Sequence, residues 1–129
     1  LTQIGTTGVT ATTDRFGNPN SAYEFGGAGY FTNTAPSFTL SPTQPFTMSA
    51  WVLKTGGTVA VMVATNAAGN FITILQSGTT NTQFGTNKQQ SAWIWAQTPN
   101  TLNVWEQYTC VYEAPLMKLY KNGELAATN

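Results

Sequence analysis

The chain has 129 residues, five Lys and Arg against five Asp and Glu, and a formal net charge of zero. Its 23 Thr, 11 Asn, 8 Gln and 12 Gly, with few Leu, Lys and Glu, point to strands joined by polar turns rather than to helices. So little charge cannot gather phosphates by counterion release, the lack of His rules out Ser-His-Asp and Cys-His centres and ordinary zinc ligand sets, and no apolar run approaches the ~18 residues of a membrane span.

No helical stripe is visible, and apolar residues recur at period two in short runs. The first polar feature is Asp14-Arg15-Phe16-Gly17-Asn18. Asp14 and Asn18, helped by Asn20 and backbone carbonyls, could offer oxygens to calcium. That ion wants six to eight oxygens, several from carboxylates, so one Asp makes a weak site. The competing expectation is an Asx-turn in which Asp14 caps its own loop. Strands are expected over Ser21–Gly26, Gly29–Thr32, Phe38–Ser41, Phe46–Lys54, Thr58–Ala64, Phe71–Gln76, Thr82–Thr86, Ala92–Gln97, Glu106–Glu113, Leu116–Lys121 and Glu124–Thr128. In Phe46–Lys54, Phe46, Met48, Ala50 and Val52 share one face, and Thr47, Ser49, Trp51 and Leu53 the other. Neither face is fully polar, which reads as a central strand covered on both sides. Asn122-Gly123 suits a two-residue type I′ turn, where both positions need positive φ. Many strands at short spacing make one all-β domain over residues 1–129, an antiparallel two-sheet sandwich or jelly roll.

The best candidates for ligand contact are Trp93 and Trp95. At i and i+2 they project from one strand face, nearly 7 Å apart. Flanked by Gln89, Gln90 and Gln97, they form a platform for the C–H face of a sugar; the competing reading is two rings filling a core. Tyr30, after a glycine-rich turn, edges a binding surface or packs within its strand. Cys110, the lone cysteine, sits in an alternating apolar run and reads as a buried small hydrophobe. The five acids are Asp14, Glu24, Glu106, Glu113 and Glu124, and no two have the spacing of a strand-borne catalytic pair. Glu106 and Glu113, seven positions apart, point to opposite faces of one strand. Glycoside hydrolysis is therefore not expected.

Three stretches, taken in order, resemble one family: Asp14-Arg-Phe-Gly-Asn-Pro-Asn-Ser-Ala-Tyr-Glu-Phe25, Phe46-Thr-Met-Ser-Ala-Trp-Val52, and Trp105–Glu113 followed by Met117-Lys-Leu-Tyr-Lys-Asn-Gly-Glu-Leu125. The resemblance is to the laminin-G-like, concanavalin A-like lectin/glucanase jelly roll. Trp51 and Trp105 lie inside its core motifs, so the resemblance implies core or near-core positions for both. It also implies a non-catalytic binding or adhesion module, extracellular or at the cell surface, with a glycan or cell-surface ligand. Against the family pattern, strands are missing at both ends of the chain. The family's acidic turn is replaced by Gly26-Gly-Ala-Gly29, which argues against calcium there. Missing strands raise the alternative of a structural subunit of a filament, appendage or virion, self-assembled or completed by a strand of another chain. No nucleic acid, membrane span or cofactor other than a weakly held calcium is expected.

Overall fold

The computed structural model describes residues 2–5, 7–26, 28–33, 40–66, 68–69, 71–88 and 92–129, with the backbone alone for Lys88. Among these it has strands and no helix. The chain packs as two compact units, Leu1–Phe38 and Thr39–Asn129.

The first unit holds four short strands: β1 (Thr2–Ile4), β2 (Val9–Thr12), β3 (Ala22–Phe25) and β4 (Tyr30–Thr32). Antiparallel pairs form between β1 and β4 and between β2 and β3. Tyr23 and Phe25, on one face of β3, set their rings edge-on to Phe31, at 4.7 and 6.0 Å. The sequence expectation missed β1 and β2. Each is three or four residues long and threonine-rich, too short for period two to register.

The second unit is a sandwich of two four-stranded antiparallel sheets. Sheet I runs in the order β12 (Glu124–Thr128), β11 (Leu116–Lys121), β10 (Trp105–Glu113), β5 (Phe46–Leu53). Sheet II is a meander of β6 (Val59–Thr65), β7 (Phe71–Ser77), β8 (Asn81–Lys88) and β9 (Ile94–Pro99). Sheet I turns Met48, Tyr108, Cys110, Tyr112, Met117 and Leu119 inward. Sheet II answers with Phe71, Leu75, Phe84 and Ala96. Phe46 stacks on Tyr112 at 5.1 Å and meets Phe71 and Phe84 edge-on. Each fully buried side chain of this size contributes about 1.5–3 kcal/mol, so the inner faces hold the two sheets together. Cys110 is fully buried, and that burial pushes its thiol up to about 12.

The Asn122-Gly123 turn forms as expected: both residues have positive φ, 51° and 88°, between the paired Lys121 and Glu124. Asn122 is also tied down, since its Oδ1 accepts the Gln107 N–H at 2.8 Å.

Two charges enter the sandwich. Glu106 is buried, and its Oε1 pairs with Lys121 Nζ at 2.7 Å. Its Oε2 accepts from Tyr108 OH and from Thr101 N. Burial pushes the Glu106 carboxyl up, but these donors outweigh burial and hold it below the usual range. Lys54 is also buried; its ammonium donates to the carbonyls of Gly56, Gly57 and Ser77, and burial lowers its pKa. Sequence reading anticipated neither group.

Three expectations need correction. The residues of β5 divide between its faces as expected, but among the described strands β5 lies at a sheet edge, hydrogen-bonded to β10 alone. Trp51 is therefore not core: it lies on the outer face, 41% exposed, and Trp105 is half-buried. No strand forms at 40–41, and the rest of the expected Phe38–Ser41 strand lies outside the described residues.

Candidate functional site

Sheet II buries alternate residues: Phe71, Thr73, Leu75 and Ser77 point inward from β7, so Ile72, Ile74 and Gln76 point outward. Register carries this face across the sheet. Ala60 pairs with Gln76, Gln76 with Gln83, and Gln83 with Gln97. The next outward row pairs Val63 with Ile74, Ile74 with Gly85, and Gly85 with Trp95. The outer face thus carries an amide row beside an apolar row, both running across the strands.

The amide row is bonded along its length. Gln76 Nε2 donates to Gln83 Oε1 at 3.5 Å, and Gln83 Nε2 donates to Gln97 Oε1 at 2.9 Å. Cross-strand neighbours sit about 4.5–5.5 Å apart, which is what lets side-chain amides reach one another. The ladder ends in a donor, Gln97 Nε2, and an acceptor, Gln76 Oε1. Each amide nitrogen also carries a second hydrogen that the ladder does not use.

In the apolar row, Gly85 makes room for Trp95. A Cβ at position 85 would sit 2.3 Å from the Trp95 ring, so the indole covers bare backbone. The other sheet also fixes Trp95: its carbonyl accepts from Asn129 Nδ2 at 2.8 Å, and Asn129 exchanges two backbone bonds with Met117. Trp93 stacks on Trp95 at 4.9 Å and 15° between planes, and is 38% exposed. This differs from the expected pair of rings nearly 7 Å apart. The reason is that β9 begins at Ile94, so Trp93 lies before the ladder and is released from strand spacing. The pair presents a stack with one outer ring rather than two rings side by side.

Trp93, Trp95 and Gln97 therefore come together on one face, and they gain Gln76, Gln83, Gly85 and Ile74, which sequence reasoning missed. Gln89 and Gln90 lie outside the described residues. Tyr30 is exposed on β4 of the first unit. Asp14 and Asn18 lie in the first unit, on the loop joining β2 to β3. There Asp14 Oδ1 accepts from Phe16 N at 2.8 Å and Asn18 N at 2.9 Å, and Oδ2 from Asn18 Nδ2 at 3.0 Å. The Asn18 side-chain bond leads the causes that lower the Asp14 pKa. This is the Asx-turn geometry: a cation there would have to displace three N–H donors. Among the described residues no three His, Cys, Asp or Glu side chains gather as a metal site.

A model of the laminin G type, described as the concanavalin A-like lectin/glucanases superfamily, matches residues 25–129. The chain belongs to that superfamily. This laminin-G-like match spans β4 through β12 and the whole sandwich. Of the stretches that suggested the resemblance, Asp14–Glu24 precedes the matched region. Laminin-G-like domains are in general non-catalytic binding modules and are typically extracellular. No curated protein and no solved structure is similar enough to the chain to count as a match.

Proposed function

We propose that this laminin-G-like chain is a non-catalytic extracellular module that binds carbohydrate on the outer face of sheet II. One observation carries the reading: the half-exposed Trp93–Trp95 stack stands beside the Gln76–Gln83–Gln97 ladder. An indole covers the C–H face of a sugar while side-chain amides meet its hydroxyls, and sugar recognition needs both kinds of contact. The same face supports the non-catalytic part of the reading. None of its described side chains is a carboxylate, so a glycan lying there meets neither an acid nor a nucleophile. The buried acid Glu106 is already committed to Lys121. The test is a glycan array read with the wild type and with the Trp93→Ala plus Trp95→Ala double variant, each checked by circular dichroism. Binding that disappears in the folded double variant supports the reading. Binding that survives it sinks the reading.

A second reading, a subunit of an assembly, draws on β6. Val59–Thr65 carries no charge, pairs with β7 alone among the described strands, and exposes 58% of Val63. Natural edge strands are usually blunted by charge or proline. Light scattering decides: a stable 13.8 kDa species at high concentration removes this reading, and concentration-dependent growth favours it.

A further inference from the structure

The two rows on sheet II also specify what kind of carbohydrate fits, an argument that rests on the carbohydrate reading above. Among the described side chains of the face, Ala60, Gln76, Gln83 and Gln97 in one row and Val63, Ile74 and Trp95 in the other, none is charged. A sulfated or uronate chain placed there loses hydration and finds no cation in either row, which is costly for an anion. Hydroxyls, by contrast, meet amide groups that both donate and accept.

The rows also have a direction and a length. They cross the strands from β6 to β9, three interstrand gaps or roughly 14 Å. That length suits several consecutive sugar rings rather than one. Between Ile74 and β9 the Trp95 indole lies over Gly85, so the apolar row continues across β8 as an aromatic surface rather than a gap. The tryptophan stack stands at the β9 end of the rows.

We infer that the outer face of sheet II binds an uncharged oligosaccharide lengthwise across β6–β9, with one edge on the Gln76–Gln83–Gln97 ladder and its ring faces on Val63, Ile74 and the tryptophan stack. Gln83, at the centre of the ladder, both donates and accepts within it, so its loss breaks the ladder in two.

The experiment uses the full chain and calorimetric titration with neutral gluco-, manno- and xylo-oligosaccharides of one to about six units, with heparin and polygalacturonate as anionic probes. The variants are Gln83→Leu and, as a control on sheet I, Gln107→Leu. The expected result has four parts. Affinity for a neutral series rises with length and levels off near the roughly 14 Å span. It holds steady as salt is raised. Gln83→Leu lowers it about tenfold with unchanged circular dichroism, as the loss of one or two hydrogen bonds implies. Gln107→Leu leaves it unchanged. Binding confined to the anionic probes and falling with salt would overturn the inference and leave carbohydrate binding standing. So would a monosaccharide that binds as well as its oligomers, or neutral binding indifferent to Gln83→Leu. No binding to any sugar would overturn both the inference and the reading beneath it.

Discussion

Lys121→Met tests whether the buried Glu106 pair holds one end of the sandwich together. The substitution keeps the apolar stem and removes the cation 2.7 Å from Glu106 Oε1. Glu106 retains its Tyr108 and Thr101 donors but loses its countercharge. Stranding a fully buried charge costs about 3–5 kcal/mol. Here the Lys121 side chain is 23% exposed, so water can reach part of the gap, and about 2–3 kcal/mol is the better figure. At an m value of about 1.5 kcal/mol/M, the urea midpoint should fall by about 1.3–2 M at pH 7. The pH dependence is the sharper test. The Glu106 pKa is depressed in the folded chain, so its contribution is complete above the unfolded value of about 4.3 and is lost as pH falls through the folded value. The gap between wild type and variant should therefore close in acid, as Glu106 takes up its proton in both. Lys118→Met, which breaks the exposed pair with Glu113, should leave the midpoint in place. Tryptophan fluorescence at pH 7 and near pH 3.5 reads all three proteins. A Lys121→Met gap below about 0.5 kcal/mol at pH 7, or one equally large in acid, would refute the argument.

Three further outcomes follow from the same geometry. Gly85→Ala pushes a Cβ against the Trp95 ring, so it should cost about 1–3 kcal/mol and break the Trp93–Trp95 stack, read as loss of the paired-indole signal in near-ultraviolet circular dichroism. Cys110, buried and raised to about 12, should resist a thiol reagent at pH 8 in the native chain and react fully in urea; fast native labelling would contradict its place in the core. Calcium up to about millimolar levels, the range of weak extracellular sites, should leave the melting temperature of the chain unchanged, because Asp14 already accepts three loop N–H bonds; a clear rise on adding the ion would contradict this.

Local rules were legible wherever a residue's role depends only on its near neighbours. Asn122-Gly123 announced its turn because the type I′ turn needs two positive φ angles. Cys110 announced its burial by its place in an alternating apolar run. What sequence could not show is which strand lies beside which. Trp51 and Leu53 look like one side of a buried strand, because apolar residues on an outer face are indistinguishable from core until the sheet edge is known. Lys121 finds Glu106 only through the β10–β11 register, which sets Lys121 against Tyr108, one step along the same face from the acid.

The same limit explains why half of the candidate site was visible. Trp93, Trp95 and Gln97 share one stretch of chain. Gln76 and Gln83 joined them only when two registers were fixed, and Gly85 mattered only once Trp95 was seen to cover it. The scarcity of charge now has a structural reading. Glu106 with Lys121 and Glu113 with Lys118 join strands within sheet I. Lys54 binds carbonyls, Asp14 closes its own loop, and the Arg15 guanidinium lies 3.8 Å over the Phe16 ring. Seven of the chain's ten charged residues are thus engaged within the fold. The proposed site on sheet II would then recognise its ligand through amides and rings, the chemistry suited to an uncharged, hydroxyl-rich molecule.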